Sequence, residues 1–222
     1  LKAKLKPTFW DKDRNAFMHA IEDGEMNRQI TAFPNMFAII YDMVDQGDKE
    51  KLMDSVLLNQ DVEPITTPYM RFYELEAMCR MGYQERVLPE ILGYWGGMIN
   101  EGATSFWEKY NPADEGAGHL AMYGRPYGKS LCHAWGASPI YLIGRYYLGV
   151  SPTKPGYAEY EVKPVLGGLK RMQGSVPTPF GEIRVKMDGR TVSVKSDGGR
   201  GTLVVGGRTY DIPAGQELKI EY

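Results

Sequence analysis

The stretch Ser-Pro-Thr-Lys-Pro-Gly, residues 151–156, separates two parts of the chain that follow different sequence patterns. Proline and glycine end helices and favour turns, so this stretch predicts a linker. Residues 1–150 hold all 4 Trp and 10 of the 12 Met, whereas the last 72 residues hold 12 of the 26 Gly. This difference in composition predicts two domains, residues 1–150 and residues 151–222.

The first part repeats apolar residues at helical spacing, which predicts helices joined by short turns. We expect Asn35 to cap a first helix that ends near Gly47, and Asp48 to cap the helix that follows. Two helices joined by so short a turn form an antiparallel hairpin. The apolar positions of these two helices are Met36, Phe37, Ile40, Tyr41, Val44, Leu52, Val56 and Leu57.

Three further helices are expected before the linker. Pro68 opens one that closes at Gly82, and the next runs from Val87 to Gly102, which together make a second hairpin. A last helix is expected from Leu131 to Leu148. We expect a kink at Pro139 within it, because proline lacks the N–H that the helical hydrogen bond requires.

After the linker the apolar residues alternate with polar ones, which predicts short β-strands. The pair Asp188-Gly189 is typical of a hairpin turn. The alternating residues are Tyr160, Val162, Ile183, Val185, Met187, Val192, Val194, Leu218, Ile220 and Tyr222. The predicted fold class is therefore α+β, with helical hairpins followed by a small antiparallel β-sandwich.

Charge and composition exclude several classes of protein. The 26 Lys and Arg against 28 Asp and Glu, a net charge of -2, argue against a nucleic-acid partner. The densest apolar stretches, such as residues 35–44, fall short of the ~20 residues that a membrane span needs. Cys79 and Cys132 fit neither a disulfide framework nor a zinc site. We expect both thiols to be buried and inert, and we expect no metal and no cofactor.

A loop rich in aromatic residues, Gly-Ala-Thr-Ser-Phe-Trp-Glu-Lys-Tyr-Asn-Pro at residues 102–112, carries the first candidate for catalysis. Glu108 follows Trp107, and apolar surroundings raise the proton affinity of a carboxylate that acts as an acid or base. Flat rings also suit the C–H faces of sugars. The alternative is that Glu108 pairs with Lys109 or Arg125 at the surface while Phe106 and Trp107 fill the core.

The second candidate is His133, in the string Lys-Ser-Leu-Cys-His-Ala-Trp-Gly-Ala at residues 129–137. A histidine at the start of a helix can contact a substrate hydroxyl or orient a carboxylate. The alternative is a histidine whose ring serves only packing and hydrogen bonding. The residue pattern alone leaves both possibilities open.

Three strings of the sequence carry a family likeness in combination. They read ITTPYMRFYELEAMCRMG, YWGGMINEGATSFWEKYNP and SLCHAWGASPIYLIGRYYLGVSPTKPGY. Together they resemble the C-terminal portion of bacterial α-L-rhamnosidases of glycoside hydrolase family 78. The likeness continues into EYEVKPVLGGLKRMQGSVPTPFGEIRVKM, which is similar to the C-terminal β-sandwich of that family. The Trp-Glu string and the Ser-x-x-His string are specific in combination.

The resemblance implies a partial six-hairpin (α/α)6 toroid followed by a small β-sandwich. It also implies hydrolysis of a terminal α-L-rhamnoside with inversion of configuration, so that the partner is a rhamnose-containing glycoside or polysaccharide. By the same resemblance, Glu108 corresponds to the general base and His133 to a residue that contacts the rhamnose. Trp107 is then expected to shape the pocket beside the base.

One part of the family's catalytic machinery is missing from the sequence. An inverting glycosidase needs a second carboxyl, about 6.5 to 9.5 Å from the base, as general acid. In the family this acid lies in an Asp- and Arg-rich motif that the chain lacks. Other carboxyl groups are explained more simply as helix caps or solvated charges. They are Asp61, Glu63, Glu74, Glu76, Asp114 and Glu115.

We therefore expect a rhamnosidase fragment, inactive alone, whose partner is the missing N-terminal part of the same protein. One alternative is a carbohydrate-binding or scaffold protein without turnover, and another is a six-hairpin hydrolase for a different sugar. The first residues show no apolar segment typical of a signal peptide, and we expect the numbering to begin inside a longer protein. The location stays open, with periplasmic or secreted favoured over cytoplasmic.

Overall fold

The computed structural model describes residues 2–222 and contains both helices and sheets, which places the chain in the α+β class. The strands pair antiparallel throughout the described sheets, except for one parallel pair. The chain divides into two compact units. The first runs to Tyr83 and resumes over Pro89–Ser138, and the second comprises Gln84–Leu88 and Pro139–Tyr222.

Two of the predicted helices are confirmed, the first with both boundaries and the second with its end, since it begins at Gln84 and not at Val87. Pro68 is the first residue of its helix, and Gly82 and Gly102 follow helix ends with φ of +85° and +87°, which glycine adopts without strain. The α-helices are α1 Lys2–Phe9, α2 Ala32–Ile40, α3 Gln46–Leu52, α4 Pro68–Arg80, α5 Gln84–Asn100 and α6 Ser138–Leu142. Single π-helical turns follow α3 at Met53–Leu57 and α6 at Ile143–Tyr147.

The predicted cap of the first helix is wrong, because Asn35 lies inside α2 and Thr31 occupies the cap position. The Asn35 side chain is fully buried. Its amide oxygen accepts from the Phe17 N–H at 2.7 Å, and its amide nitrogen donates to the carbonyl oxygens of Phe17 and Thr31 at 3.1 and 2.8 Å. A tertiary requirement, the pairing of another segment's backbone, therefore outweighs the local preference of asparagine for caps.

The predicted cap of the second helix is also wrong. Asp45 caps α3, and its side chain accepts from the Asp48 N–H at 2.9 Å. Asp48 lies in the first helical turn, where a negative charge is favourable. Its carboxylate forms ion pairs with Lys6 and with Lys51.

The predicted long helix from Leu131 to Leu148 is wrong in its first half and confirmed in its second, where α6 and the π-helical turn after it cover residues 138–147. Residues 131–133 have no helical structure, and a short 3₁₀ turn, Ala134–Gly136, precedes α6. Pro139 is the second residue of α6, where its missing N–H removes no helical hydrogen bond. It therefore starts the helix and does not kink it. The other 3₁₀ turns are Gly116–Leu120 and Pro155–Tyr157.

The first unit also holds four short strands that the sequence pattern did not indicate. Runs of two or three residues are too short to show alternation. They form two hairpins, β1 Trp10–Asp11 with β2 Ala16–Phe17, and β3 Ala20–Glu22 with β4 Glu25–Asn27.

The second unit contains two four-stranded sheets, ordered β11-β10-β6-β5 and β12-β9-β8-β7. The predicted turn at Asp188-Gly189 is confirmed, since it joins β8 to β9 with Gly189 at φ of +55°. β6 and β10 pair in parallel, which the purely antiparallel prediction missed. The strands are β5 Val150–Pro152, β6 Glu159–Val162, β7 Arg171–Thr178, β8 Gly181–Asp188, β9 Thr191–Ser196, β10 Arg200–Val205, β11 Arg208–Ile212 and β12 Glu217–Glu221.

Both sheets contribute to one hydrophobic core. The buried residues come from alternate positions of the strands, as the sequence pattern predicted for β6, β8 and β9. The predicted linker is part of this unit, because Ser151 pairs with Glu161 in the sheet. The core residues are Leu148, Val150, Tyr160, Val162, Ile183, Val185, Met187, Val192, Val194, Leu203, Val205 and Ile212.

The two cysteines differ in their surroundings, and the prediction that both are buried is wrong for one of them. Cys79 is buried in α4, and burial raises the pKa of its thiol to about 12. Cys132 is exposed in the segment that precedes the 3₁₀ turn. None of the helices formed by residues 2–222 combines the length and the apolar character that crossing a membrane requires.

Candidate active site

The two candidate strings lie side by side in the first unit. The Glu108 N–H donates to the Ser130 carbonyl oxygen at 3.0 Å, and the His133 N–H donates to the Phe106 carbonyl oxygen at 2.8 Å. The Ser105 hydroxyl donates to the Leu131 carbonyl oxygen and so adds a third hydrogen bond between the two segments. This backbone pairing holds residues 131–133 out of a helix and brings His133 close to Glu108.

The Glu108 carboxylate is buried, with 4% of the residue exposed. Its Oε1 accepts from the Tyr123 hydroxyl at 2.5 Å, and its Oε2 accepts from the Ser130 N–H at 3.0 Å. His133 Nδ1 lies 3.9 Å from Oε2. Both oxygens of one carboxylate are therefore held in place by neighbours from two segments of the chain.

The expectation that apolar surroundings raise the proton affinity of Glu108 is wrong. The hydrogen bond from Tyr123, followed by that from the Ser130 N–H, holds the pKa of Glu108 below its usual range. Burial acts in the opposite direction, while the charges of His133 and Lys129 also lower this pKa. Hydrogen bonds to the charged form of the carboxylate thus outweigh its desolvation.

The alternative surface role of Glu108 is not found. Among the described residues, no ion pair joins Glu108 to Lys109 or to Arg125. Trp107, by contrast, is buried, as the alternative interpretation expected.

His133 caps the 3₁₀ turn Ala134–Gly136 and not the long helix that the sequence predicted. Its side chain is 28% exposed, and its ring packs against Trp135 with ring centroids 4.0 Å apart. The imidazole is therefore accessible while it stays close to the carboxylate of Glu108. Such a position allows it to contact both a bound ligand and Glu108.

Trp107 lies in a buried polar and aromatic cluster with Lys129 and His119. Lys129 Nζ is 5.5 Å from the centre of the Trp107 ring and has no hydrogen-bond partner among residues 2–222. Burial lowers the pKa of Lys129, and the charges of Asp114 and Glu108 oppose this shift. Because the Trp107 ring is covered, it does not offer an open face to a ligand.

Three residues of the site were not predicted as such from the sequence. Trp135 is 41% exposed, and its indole N–H donates to the Glu108 carbonyl oxygen at 3.4 Å. The Tyr69 ring, also exposed, stacks on Trp135 at 5.5 Å with an angle of 27° between the planes. Tyr123 completes the set. No local pattern in the sequence indicated these three residues in advance, because each reaches Glu108 or its neighbours through a contact between distant segments.

The other carboxyl groups considered as acids have ordinary roles. Glu74 forms an ion pair with Arg71, and Glu76 forms one with Arg80. The Asn111 side chain donates to Asp114 at 3.2 Å. The remaining three are exposed, namely Asp61, Glu63 and Glu115. No group of three His, Cys, Asp or Glu side chains within residues 2–222 is arranged to hold a metal ion.

Comparison with known proteins supports the family resemblance. A family model described as the bacterial alpha-L-rhamnosidase C-terminal domain matches residues 149–196. The alpha-L-rhamnosidase of Alteromonas sp. (strain LOR) is 30% identical over an alignment of 214 positions, and the match covers 87% of this chain. The chain resembles the C-terminal part of α-L-rhamnosidases. The resemblance to α-L-rhamnosidases that the sequence indicated is thereby confirmed.

Solved rhamnosidase structures agree with this result. The family 78 rhamnosidase of Bacillus sp. GL1 superposes with a TM-score of 0.71 at 25% identity, covering 87% of this chain and 20% of that one. The α-L-rhamnosidase of Aspergillus terreus gives 0.75 at 15% identity, covering 99% of this chain and 26% of that one, and shows a shared fold alone. The chain spans 21% of the length of the Alteromonas rhamnosidase, about a fifth.

Proposed function

We propose that this chain is the C-terminal part of an inverting α-L-rhamnosidase that removes terminal, non-reducing rhamnose from a glycoside or polysaccharide. Glu108 is the general base that activates water, and His133 contacts the rhamnose. Trp107 shapes the pocket from behind by packing on Lys129. The general acid belongs to the N-terminal part of the same protein.

The position of Glu108 carries this proposal. The Trp-Glu string and the Ser-x-x-His string meet at the Glu108 carboxylate, although Glu108 and Ser130 are 22 residues apart in the sequence. His133 Nδ1 lies 3.9 Å from Oε2 of this carboxylate. A base must be ionised before it can take a proton from water, and the hydrogen bonds to Glu108 favour the ionised form. None of the six other carboxyl groups considered above shares this arrangement.

The proposed architecture follows the family. Residues 1–150 form the last helices of an (α/α)6 toroid, and residues 151–222 form a C-terminal β-sandwich domain. The pairing of α2 with α4 through Phe37 and Tyr73, whose ring centroids are 5.1 Å apart, supports the packing of helices from successive hairpins.

Hydrolysis and sugar binding by the isolated chain test the proposed function. We expect no measurable cleavage of an aryl α-L-rhamnoside, because the general acid is missing, but weak binding of L-rhamnose in saturation-transfer NMR. Glu108→Gln is expected to keep this binding, since a base acts mainly on the transition state. Turnover at the rate of an intact rhamnosidase would contradict the inference that the chain lacks its general acid. Stronger binding of another sugar in a panel of monosaccharides would contradict the proposal that rhamnose is the substrate sugar.

The coding sequence upstream of Leu1 separates the enzyme from a binding or scaffold protein. We expect an open reading frame that encodes further helical hairpins and a motif rich in Asp and Arg. A start codon at or just before Leu1 would favour the protein without turnover.

The exposed rings of Trp135 and Tyr69 are proposed to stack on a sugar beside Glu108. Aromatic contacts contribute about 0.5 to 1.5 kcal/mol, so Trp135→Ala is expected to weaken L-rhamnose binding by up to about tenfold. Trp135→Phe keeps a ring and is expected to retain most of the binding. Phe180→Ala, which removes an exposed ring of the second unit, is the matched control. Equal binding by Trp135→Ala and the control would contradict the stacking role.

A further inference from the structure

Tyr123 lies in a two-residue turn with an unusual backbone. Met122 and Arg125 exchange two backbone hydrogen bonds of 3.0 Å, and the residues between them, Tyr123 and Gly124, have φ of +56° and +71°. Two positive φ angles are what a type I′ turn requires. Glycine adopts such angles freely, whereas a tyrosine is strained by its Cβ.

The strained backbone places one polar group on the candidate base. Tyr123 is 70% exposed, so burial of its ring does not explain why a tyrosine occupies this position. Its hydroxyl donates to Glu108 Oε1 at 2.5 Å, the shortest hydrogen bond that the carboxylate receives. Strain at a single residue persists when the contacts around that residue hold it there. Here the hydrogen bond to Glu108 is such a contact.

We propose that Tyr123 is a positioning residue, whose hydroxyl holds the Glu108 carboxylate in one orientation. The role of the Tyr123 hydroxyl in general-base catalysis rests on the function proposed above, but its effect on Glu108 does not. A carboxylate has about four acceptor positions, and the bonds from Tyr123 and Ser130 occupy two of them. Each oxygen therefore accepts one of the two bonds and keeps one acceptor position that these bonds do not use.

Other charged groups also face Glu108, and the test must separate them from Tyr123. His133 Nδ1 lies 3.9 Å from Oε2, and the charge of Lys129 acts from the neighbouring buried cluster. The positive charge of Lys109 in turn lowers the pKa of Lys129. None of these groups is altered when the Tyr123 hydroxyl alone is removed.

Titration of Glu108 in the 222-residue chain tests the proposal. The chain is labelled with [δ-¹³C]glutamate, and the resonance that disappears in Glu108→Gln identifies the carboxyl. In Tyr123→Phe the pKa of Glu108 is expected to rise, because the charged form loses its shortest hydrogen bond. Tyr127→Phe removes a hydroxyl from an exposed tyrosine of the same loop and is expected to change nothing.

A second variant separates the hydroxyl from the strained backbone. Tyr123→Gly also removes the hydroxyl but relaxes the positive φ, and we expect the pKa of Glu108 to rise in this variant as in Tyr123→Phe. An unchanged pKa of Glu108 in both variants, with amide spectra that show an intact fold, would overturn the proposal. A rise in Tyr123→Gly alone would assign the effect to the backbone and overturn it as well.

The titration does not depend on turnover. If L-rhamnose fails to bind while the pKa of Glu108 rises in Tyr123→Phe, the proposed function fails and the role of Tyr123 on the carboxylate stands. If L-rhamnose binds while the pKa stays constant, the role of Tyr123 fails and the proposed function stands.

Discussion

Gly149→Ala is expected to destabilise the second unit by more than about 4 kcal/mol, a loss that is exceptional for the addition of one methyl group. Gly149 has φ of +75°. A Cβ at this position would lie 2.7 Å from the Pro164 nitrogen and closer still to the Lys163 carbonyl group. Because both are backbone atoms within a sheet connection, they cannot move aside as a side chain could.

The loss should be measured where the mutation acts. All four tryptophans belong to the first unit, so their fluorescence is not a direct probe of the second. Hydrogen exchange followed by mass spectrometry on peptides from β7 to β10 in increasing urea reports directly on the second unit. Gly215→Ala is the matched control, since φ there is +73° but no atom lies within 4 Å of the added Cβ. It isolates the backbone strain, about 1 kcal/mol. Equal losses in the two variants would show that the close approach at Gly149 is unimportant.

Asn35→Leu is expected to destabilise the first unit by about 3 kcal/mol or more. Leucine is similar in volume, so packing is nearly conserved while three hydrogen bonds are lost. The Phe17 N–H and two carbonyl oxygens then stay buried without these partners, and each unsatisfied group costs about 1 to 3 kcal/mol. Tryptophan fluorescence in urea suits this measurement, because Trp10 packs on the Phe17 ring at 5.1 Å.

Asn27→Leu provides the control for Asn35. Its side chain also hydrogen bonds, to Gln29 and Glu22, but both contacts are exposed to solvent. A surface substitution of this kind changes stability by about 0.5 kcal/mol or less. If Asn35→Leu costs no more than Asn27→Leu, the Asn35 amide does not hold β2 in place.

Local signals predicted those parts of the fold in which neighbouring residues in the sequence decide the structure. Pro68 and Gly82 bound α4 because proline suits a helix start and glycine suits the position after its end. Asp188-Gly189 similarly determines the turn between β8 and β9.

The predictions were wrong where contacts between residues distant in the sequence determine the local structure. Asn35 has the residue type of a cap, but the backbone of Phe17, 18 residues earlier, needs its amide. Residues 131–133 were predicted to be helical, but Leu131 and His133 pair with Ser105 and Phe106 through side-chain and backbone hydrogen bonds. Neither partner can be identified from local periodicity.

The candidate site shows the same division. The family strings identified Glu108 and His133, and the structure places His133 Nδ1 3.9 Å from Glu108 Oε2. Whether these residues act as base and sugar contact stays a prediction. The direction of the pKa shift at Glu108 could not be predicted, because it depends on Tyr123, which reaches the carboxylate from a turn 15 residues away.

The unequal environments of the two thiols offer a native attachment point for a spectroscopic reporter. A maleimide dye reacts with thiolate, and the pKa of about 12 leaves Cys79 protonated as well as buried. Cys132 is exposed and is the immediate neighbour of His133. The unmutated chain therefore accepts one fluorophore at the edge of the proposed sugar pocket, where its emission can follow ligand occupancy without an engineered cysteine.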